Sequence, residues 1–184
     1  MIYLTSDFHF NHNKEFIYKS RGFESIDEMN EVLVENFNKT VSSNDVAYIL
    51  GDLMLGGPKN TAIEYIKKLS CGLYIIKGNH DTDTRIKLYQ ECWNVIDVQN
   101  AEYLKYNGYH FYLSHYPTIT SEPTYEKKLK SRLLCLFGHT HSQDKFYNEN
   151  PYMYNVAVDA HECKPVSIDD ILNDILLKEK EITK

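Results

Sequence analysis

The sequence predicts an α/β fold of βαβ units with a largely parallel sheet, and two observations carry that prediction. Short apolar or β-branched runs end three times in polar, chemically capable residues. Ile2-Tyr3-Leu4-Thr5 leads to Ser6-Asp7-Phe8-His9, Val46-Ala47-Tyr48-Ile49-Leu50 to Gly51-Asp52, and Leu73-Tyr74-Ile75-Ile76 to Gly78-Asn79-His80-Asp81. Continuous apolar runs of this length read as strands covered on both faces. Helix-like stripes lie between them. Met29, Val32, Leu33, Phe37 and Val41 recur at spacings of three and four, and Ala62, Ile63, Ile66 and Leu69 form a second stripe.

Taken in order, the first strand runs from Met1 to Ser6 and the first helix from Asp27 to Val41. Pro58 suits the first turn of the next helix, and Gly72 is placed to end it. The second half reads differently. Tyr106-Asn107-Gly108-Tyr109 is a type I′ hairpin signal between Glu102–Tyr106 and Tyr109–Ser114. In that register Leu104 faces Phe111, and Tyr109, Phe111 and Leu113 share a face. Leu133–Phe137 is a buried strand ending at Gly138-His139-Thr140-His141, and Tyr152–Val158 is a further strand. Ser167 with Asp170 forms a capping box opening a last helix through Ile168, Ile171, Leu172 and Ile175. The charged stretch Lys178 to Lys184 is expected to fray. With no internal repeat or linker, residues 1–184 are expected to form one domain.

The composition is that of an ordinary globular protein, 42% hydrophobic and 25% charged, which excludes collagen-like, disordered and disulfide-scaffold readings. The formal net charge of −6 argues against extended nucleic-acid binding, which calls for a basic surplus or stripe. The one locally basic stretch, Lys127, Lys128, Lys130 and Arg132, reads as a solvated helix face. Cys71, Cys92, Cys135 and Cys163 lie far apart with no C-x-x-C pair, so buried free thiols are the expectation. No run reaches the length of a membrane span and no secretory signal is visible, so a reducing cytoplasm is the expected location.

In open α/β sheets, ligands collect beyond the carboxyl ends of strands. Asp7 and His9, Asp52, Asn79 and His80, His115, and His139 and His141 all stand at such positions. Each fragment alone is weak, since Gly-Asp is common and a lone His is more often structural. His-x-His at a strand end is already unusual in a chain with 8 His. Carboxylate, amide oxygen and neutral imidazole together suit a borderline divalent metal rather than an all-oxygen calcium site. Two cations would bring +4, Asp7 and Asp52 would return −2, and a bridging hydroxide would leave a centre near +1. That charge suits an anionic phosphoryl group.

The ordered series Asp7-x-His9, Gly51-Asp52, Gly78-Asn79-His80-Asp81, His115 and Gly138-His139-x-His141 resembles the calcineurin-like metallophosphoesterase superfamily, over Met1 to about Asp159. The resemblance implies two mixed β-sheets packed as a sandwich flanked by helices. It implies two divalent ions, of manganese, iron, zinc, nickel or cobalt. Asp7, His9 and His141 would hold the first, Asn79, His115 and His139 the second, and Asp52 would bridge them. His80 matches the residue beside the metals that donates a proton to the leaving oxygen or stabilises the transition state.

Phe10-Asn11-His12-Asn13, Arg21-Gly22-Phe23 and Asn155-Val156-Ala157-Val158-Asp159 resemble, more closely, small single-domain bacterial and phage members. Gly22 stands where that pattern has proline, and Ala157 where it has glycine. His12 and Arg21 are either substrate-phosphate contacts or ordinary loop structure, while His110 and His161 read as structural. The expected activity is hydrolysis of a small phosphodiester, such as a cyclic or linear nucleotide. Phosphomonoesterase or nuclease action, or a non-catalytic scaffold on the same fold, are the alternatives.

Overall fold

Strands β1 (Ile2–Thr5), β2 (Val46–Ile49), β3 (Gly72–Ile76) and β4 (Val95–Gln99) run parallel in the computed structural model, which describes residues 1–120 and 128–182. A short strand near the C-terminus, β9 (Val166–Ser167), adds antiparallel to β1, giving the order β4-β3-β2-β1-β9. The second sheet contains β5 (Glu102–Tyr106), β6 (Tyr109–Leu113), β7 (Leu133–Phe137) and β8 (Met153–Asn155) in the order β5-β6-β7-β8. Its first pair is antiparallel and the others parallel, so both sheets are mixed.

Successive strand residues point to opposite faces, so each strand of the first sheet serves two cores. Ala47, Ile49, Leu73 and Ile75 face the helices α1 (Glu15–Tyr18), α2 (Ile26–Thr40), α3 (Lys59–Lys67) and α4 (Asp83–Gln90), which bury Ile17, Leu33, Phe37, Ile66 and Tyr89 there. Leu4, Leu50 and Ile76 belong to a second core with Phe111, Leu113, Leu134 and Leu136 of the other sheet. Helix α5 (Ile168–Ile182) adds Ile168, Ile171 and Ile175 to that inter-sheet core. The architecture is therefore the expected pair of mixed sheets with flanking helices.

Local chemistry explains several boundaries. Ser25 caps α2, its Oγ accepting the Glu28 N–H at 3.1 Å, and Ser167 accepts the Asp170 N–H at 3.0 Å at the start of α5. Asn107 and Gly108 take φ of 48° and 79°, as a type I′ turn requires, and Leu104 pairs with Phe111.

Other expectations are corrected. Gly72 does not end α3. The helix stops at Lys67, and Gly72 opens β3, where a Cβ would lie 2.6 Å from Ile96 Cδ1 on β4. Pro58 caps α3 rather than entering its first turn. The run from Tyr152 to Val158 is not one strand. It leaves β8 after Asn155, bridges from Ala157 to Ser6 of the first sheet, and turns into a 3-10 segment, Val158–Ala160. Ala157 has φ of −59°, a backbone that needs no glycine, whereas Gly22 has φ of 85°, which a proline ring forbids.

Helix α5 does not fray from Lys178, because it continues to Ile182 and Lys178 pairs with Glu149. Thr183 and Lys184 lie outside the described residues, as does Lys127 of the basic stretch. In the rest of that stretch Lys128 and Lys130 are solvated as expected, but no regular α-helix carries them. The chain there forms a 3-10 turn, Leu129–Ser131, followed by a buried Arg132 whose guanidinium lies 4.2 Å from the Tyr152 ring centroid. Cys71, Cys92 and Cys135 are buried free thiols, while Cys163 is only half-buried. Among the described residues, no helix is long and apolar enough to cross a membrane.

Candidate metal centre

Because β1, β2 and β3 are parallel and in register, their carboxyl ends open on the same edge of the sheet. The ends of β6 and β7 reach that edge from the second sheet, where Gly138 N donates to the His115 carbonyl at 3.0 Å. Just past the strands the chain turns hard. Asp7, His9, Asp52, His139 and His141 have φ of 60°, 52°, 55°, 70° and 50°. Left-handed backbone is uncommon for residues other than glycine, though Asp and His are enriched there, and such strain collects at functional sites. Two motif glycines permit the crowding. A Cβ at Gly78 would overlap Asp52 Oδ1, and one at Gly138 would overlap Ser6 Oγ and Asp7 Oδ2.

These turns bring the expected ligands together. Asp7, His9 and His141 form one group, and Asp7, Asp52 and His115 another, with ligand atoms within 4.8 Å of one another in each. In the first, His9 Nε2 lies 3.8 Å from Asp7 Oδ1 and 3.1 Å from His141 Nε2. In the second, His115 Nε2 lies 3.5 Å from Asp52 Oδ2 and 2.9 Å from Asn79 Oδ1. His9 Nε2 is also 3.8 Å from Asp52 Oδ2, so Asp52 faces both groups. His139 stands beside the second group rather than in it, its ring centroid 5.0 Å from that of His115. Its backbone N–H donates to Asp7 Oδ2 at 2.8 Å.

The donor set fits divalent cations on grounds beyond its composition. Asp7 is fully buried, yet its Oδ1 has no hydrogen-bond partner and points at two imidazoles. A buried carboxylate oxygen left unpaired is costly unless a cation meets it. His115 Nδ1 lies 2.7 Å from the Leu50 carbonyl, and His141 Nδ1 lies 3.1 Å from Asp159 Oδ2. A proton on each Nδ1 leaves both Nε2 atoms as lone-pair donors, the arrangement in which imidazole ligates metal.

The electrostatics are mixed, for burial lowers His115 and His141 but the neighbouring carboxylates outweigh it and raise both imidazoles. Burial pushes the Asp7 carboxyl above its ordinary value. Burial also raises Asp52, but hydrogen bonding and charge from His115, the His80 N–H and His9 outweigh it and hold the carboxyl at about 2. Burial, reinforced by His141, takes His9 down to about 2, keeping its imidazole neutral. Burial likewise lowers His139 and His12.

Behind the ligands lies a supporting layer. Arg21 grips Asp159 through Nε and one terminal nitrogen, both at 2.9 Å, and donates to the carbonyls of Asp7 at 2.8 Å and Phe8 at 3.3 Å. Its side chain is 2% exposed. Arg21 thus braces the loop after β1, and it also lines the larger of the two cavities at the site. His12 is half-buried, its ring 5.3 Å from His9, and faces the cleft described below. His161 serves structure, its Nε2 2.8 Å from the Asn155 carbonyl, and His110 pairs with Tyr103.

Two supporting residues carried no assigned role in the sequence. Asp81 Oδ2 accepts the backbone N–H groups of Asp52 at 2.7 Å and Gly78 at 2.9 Å, while Oδ1 accepts Tyr89 Oη–H at 2.7 Å. Asp159 orients His141, and its place past a strand-like run was the signal that could have marked it. Asp159→Asn is expected to weaken metal affinity about 10–100-fold, the range for groups that orient a ligating His. Titration of metal-depleted protein with a competing chelator would measure it, and unchanged affinity would remove Asp159 from the site.

Residues of the ligand groups line two cavities. One, of about 930 Å³, is bounded by His9, His80 and His141 on the metal side and beyond them by a mixed wall of apolar residues such as Phe16 and Leu55 and polar ones that include Arg21, Gln143 and Glu162. The other, of about 490 Å³, is bounded by Asn79 and His115, by polar residues that include Lys77 and Asn100, and by the aromatic residues Tyr112 and Tyr116. Asn79 and His80 are neighbours in the chain, yet each faces a different cavity. The His80 side chain is 39% exposed.

Comparison with known proteins agrees with this geometry. The family model for calcineurin-like phosphoesterases matches residues 1–183. The chain is 34% identical over 176 residues to the uncharacterized protein MJ1445 of Methanocaldococcus jannaschii, covering 93% of this chain and 89% of that one. It is 29% identical over 195 residues to the gene 66 protein of Mycobacterium phage D29, covering 95% and 96%. The fold is shared with the crystal structure of AQ665 from Aquifex aeolicus, a protein of unknown function, at a TM-score of 0.70 and 22% identity, covering 94% of this chain and 98% of that one. With candidate metal ligands gathered at one edge of the sandwich and the family model matched over residues 1–183, the chain belongs to the calcineurin-like phosphoesterases, a family of metal-dependent hydrolases.

Proposed function

We propose that this protein is a dinuclear metal-dependent phosphodiesterase acting on a small phosphodiester. The observation that carries the reading is that the ligand groups line two separate cavities, His9 and His141 one and Asn79 and His115 the other. A phosphodiester has two alcohol substituents, and each needs room on its own side of the phosphorus. A monoester would use only one.

In this reading Asp7, His9 and His141 would hold one ion, Asn79, His115 and His139 would hold the other, and Asp52 faces both groups. His139 closes the second set by turning its ring toward His115. Two divalent ions supply a nucleophile at neutral pH and neutralise phosphoryl charge. The chain's own residues do the rest. Asp81 fixes the backbone of Asp52 and Gly78, and so the turn that carries Asn79 and His80. The His80 N–H donates to Asp52 Oδ1 at 2.8 Å, which leaves the imidazole to reach into the larger cavity and donate a proton to the departing oxygen.

A small ester fits better than a polymer, because the chain carries a formal net charge of −6. The deciding experiment is a panel of monoesters, diesters and cyclic phosphates, with manganese, iron, zinc, nickel and cobalt supplied separately. Diesters are expected to show the higher kcat/KM with two ions per chain. Faster turnover of monoesters would make it a phosphomonoesterase, and two bound ions without turnover of any ester would leave a scaffold.

A further inference from the structure

We propose that His12 is a substrate-binding residue whose imidazole N–H donates a hydrogen bond to a phosphoryl oxygen in the larger cavity. This rests on the phosphoesterase reading of the site, though not on which ester is cleaved.

The position of the ring comes first. His9, a proposed ligand of the first ion, is flanked by two imidazoles that belong to neither ligand group. The His80 ring centroid lies 5.5 Å from that of His9, and the His12 centroid 5.3 Å. All three residues line the larger cavity. His80 is assigned to the departing oxygen, whereas the oxygens that stay on phosphorus carry negative charge and call for donors of their own. A neutral imidazole keeps one N–H, so His12 can meet such an oxygen without taking up a proton.

The fold leaves the polarity of His12 unanswered. His161, a structural histidine, has its Nε2 2.8 Å from the Asn155 carbonyl. The Nδ1 of His12 is instead buried with no partner among the described residues, and the ring is braced by packing, with Phe16 edge-on at 5.7 Å between centroids. Buried polar atoms are normally paired, so an unpaired one asks for a cause outside the fold.

The turn that carries the ring is nevertheless locked. Asn11 takes φ of 63° and pairs with Asn30 of α2, which is fully buried. Asn30 Oδ1 accepts the Asn11 N–H at 3.3 Å, and Asn30 Nδ2 donates to Asn11 Oδ1 at 2.9 Å. The His12 N–H donates to the His9 carbonyl at 2.9 Å, and the His12 carbonyl accepts the Lys14 N–H at 2.7 Å. From the loop after β2, Gly56 and Gly57 press so close that a Cβ on either would lie 3.0 Å from Asn11. A buried amide costs stability unless it is paired, and both of these Asn30 bonds go to the residue before His12. Such support sets the ring over the cavity in one position, as a substrate contact requires.

If His12 only packed against His9, its ring would matter and its N–H would not. Three variants separate the two roles: His12→Ala removes both, His12→Asn keeps an N–H donor, and His12→Phe keeps a ring. The full-length protein, loaded with the metal that the panel selects, is titrated with inorganic phosphate by calorimetry. It is also assayed on methyl p-nitrophenyl phosphate, whose leaving group needs no proton from His80. His12→Ala is expected to raise the phosphate Kd about 10–100-fold, the worth of one hydrogen bond to a charged group. KM for the ester should rise in step, with kcat changed less and both ions retained. His12→Asn is expected to recover part of the loss and His12→Phe none. Recovery in His12→Phe but not in His12→Asn, loss of an ion from His12→Ala, or an unchanged phosphate Kd would overturn the assignment. Phosphate binding that depends on His12 in a protein that hydrolyses no ester would leave the assignment standing and sink the phosphoesterase reading.

Discussion

Asp52→Asn is expected to lower turnover about 10³-fold, since metal stabilisation of transition-state charge is worth several kcal/mol and each ~1.4 kcal/mol is tenfold. The substitution keeps the volume and removes one negative charge. Asp52 Oδ2 lies 3.5 Å from His115 Nε2 and 3.8 Å from His9 Nε2, so the lost charge is the one that both ligand groups share. The fold should survive, because the Asp52 backbone N–H remains bound to Asp81 at 2.7 Å. Elemental analysis should find fewer than two ions per chain, with an unchanged circular dichroism spectrum. Full metal content and wild-type turnover in this variant would show that Asp52 is not the shared ligand.

The second large effect depends on the leaving group. General acid catalysis contributes about 10²–10⁴-fold when the departing oxygen is basic, and little when it leaves as a stable anion. His80→Ala should therefore slow an alkyl phosphodiester by roughly that factor and a p-nitrophenyl diester much less. Both ions should stay, since the proposed ligand sets are complete without His80, whose side chain is 39% exposed. Equal losses on both substrates with metals intact would favour charge stabilisation over proton donation. Loss of an ion would make His80 a ligand.

The elements legible in the sequence were those whose side chains answer to local rules. β7 matches its expected span residue for residue, because a strand buried on both faces is written as an unbroken apolar run. The hairpin register was legible because Asn-Gly admits one tight turn. Helix α4 and strand β4 were missed for the opposite reason. Tyr89 is the buried residue of α4, and β4 lies at a sheet edge with Ile96 54% exposed, so neither carries a strong pattern. Gly72 was misplaced because its constraint comes from Ile96, a residue far along the chain and invisible to local reading.

The chemistry divides along the same line. The types and order of Asp7, His9, Asp52, Asn79, His80, His115, His139 and His141 were determined by the sequence, because strand ends are where side chains converge whatever the loops do. What they share was decided by the tertiary structure. Only the parallel register of β1, β2 and β3 and the docking of the second sheet place Asp7 between His9, His141 and Asp52. Arg21 shows the difference most plainly. As a basic residue on a loop it is equally suited to a phosphate or to a carboxylate, and folding brings Asp159, 138 positions away, to 2.9 Å. Periodicity and turn chemistry act over a few residues, whereas ion pairs, cavities and shared ligands depend on distances that only the packed chain sets.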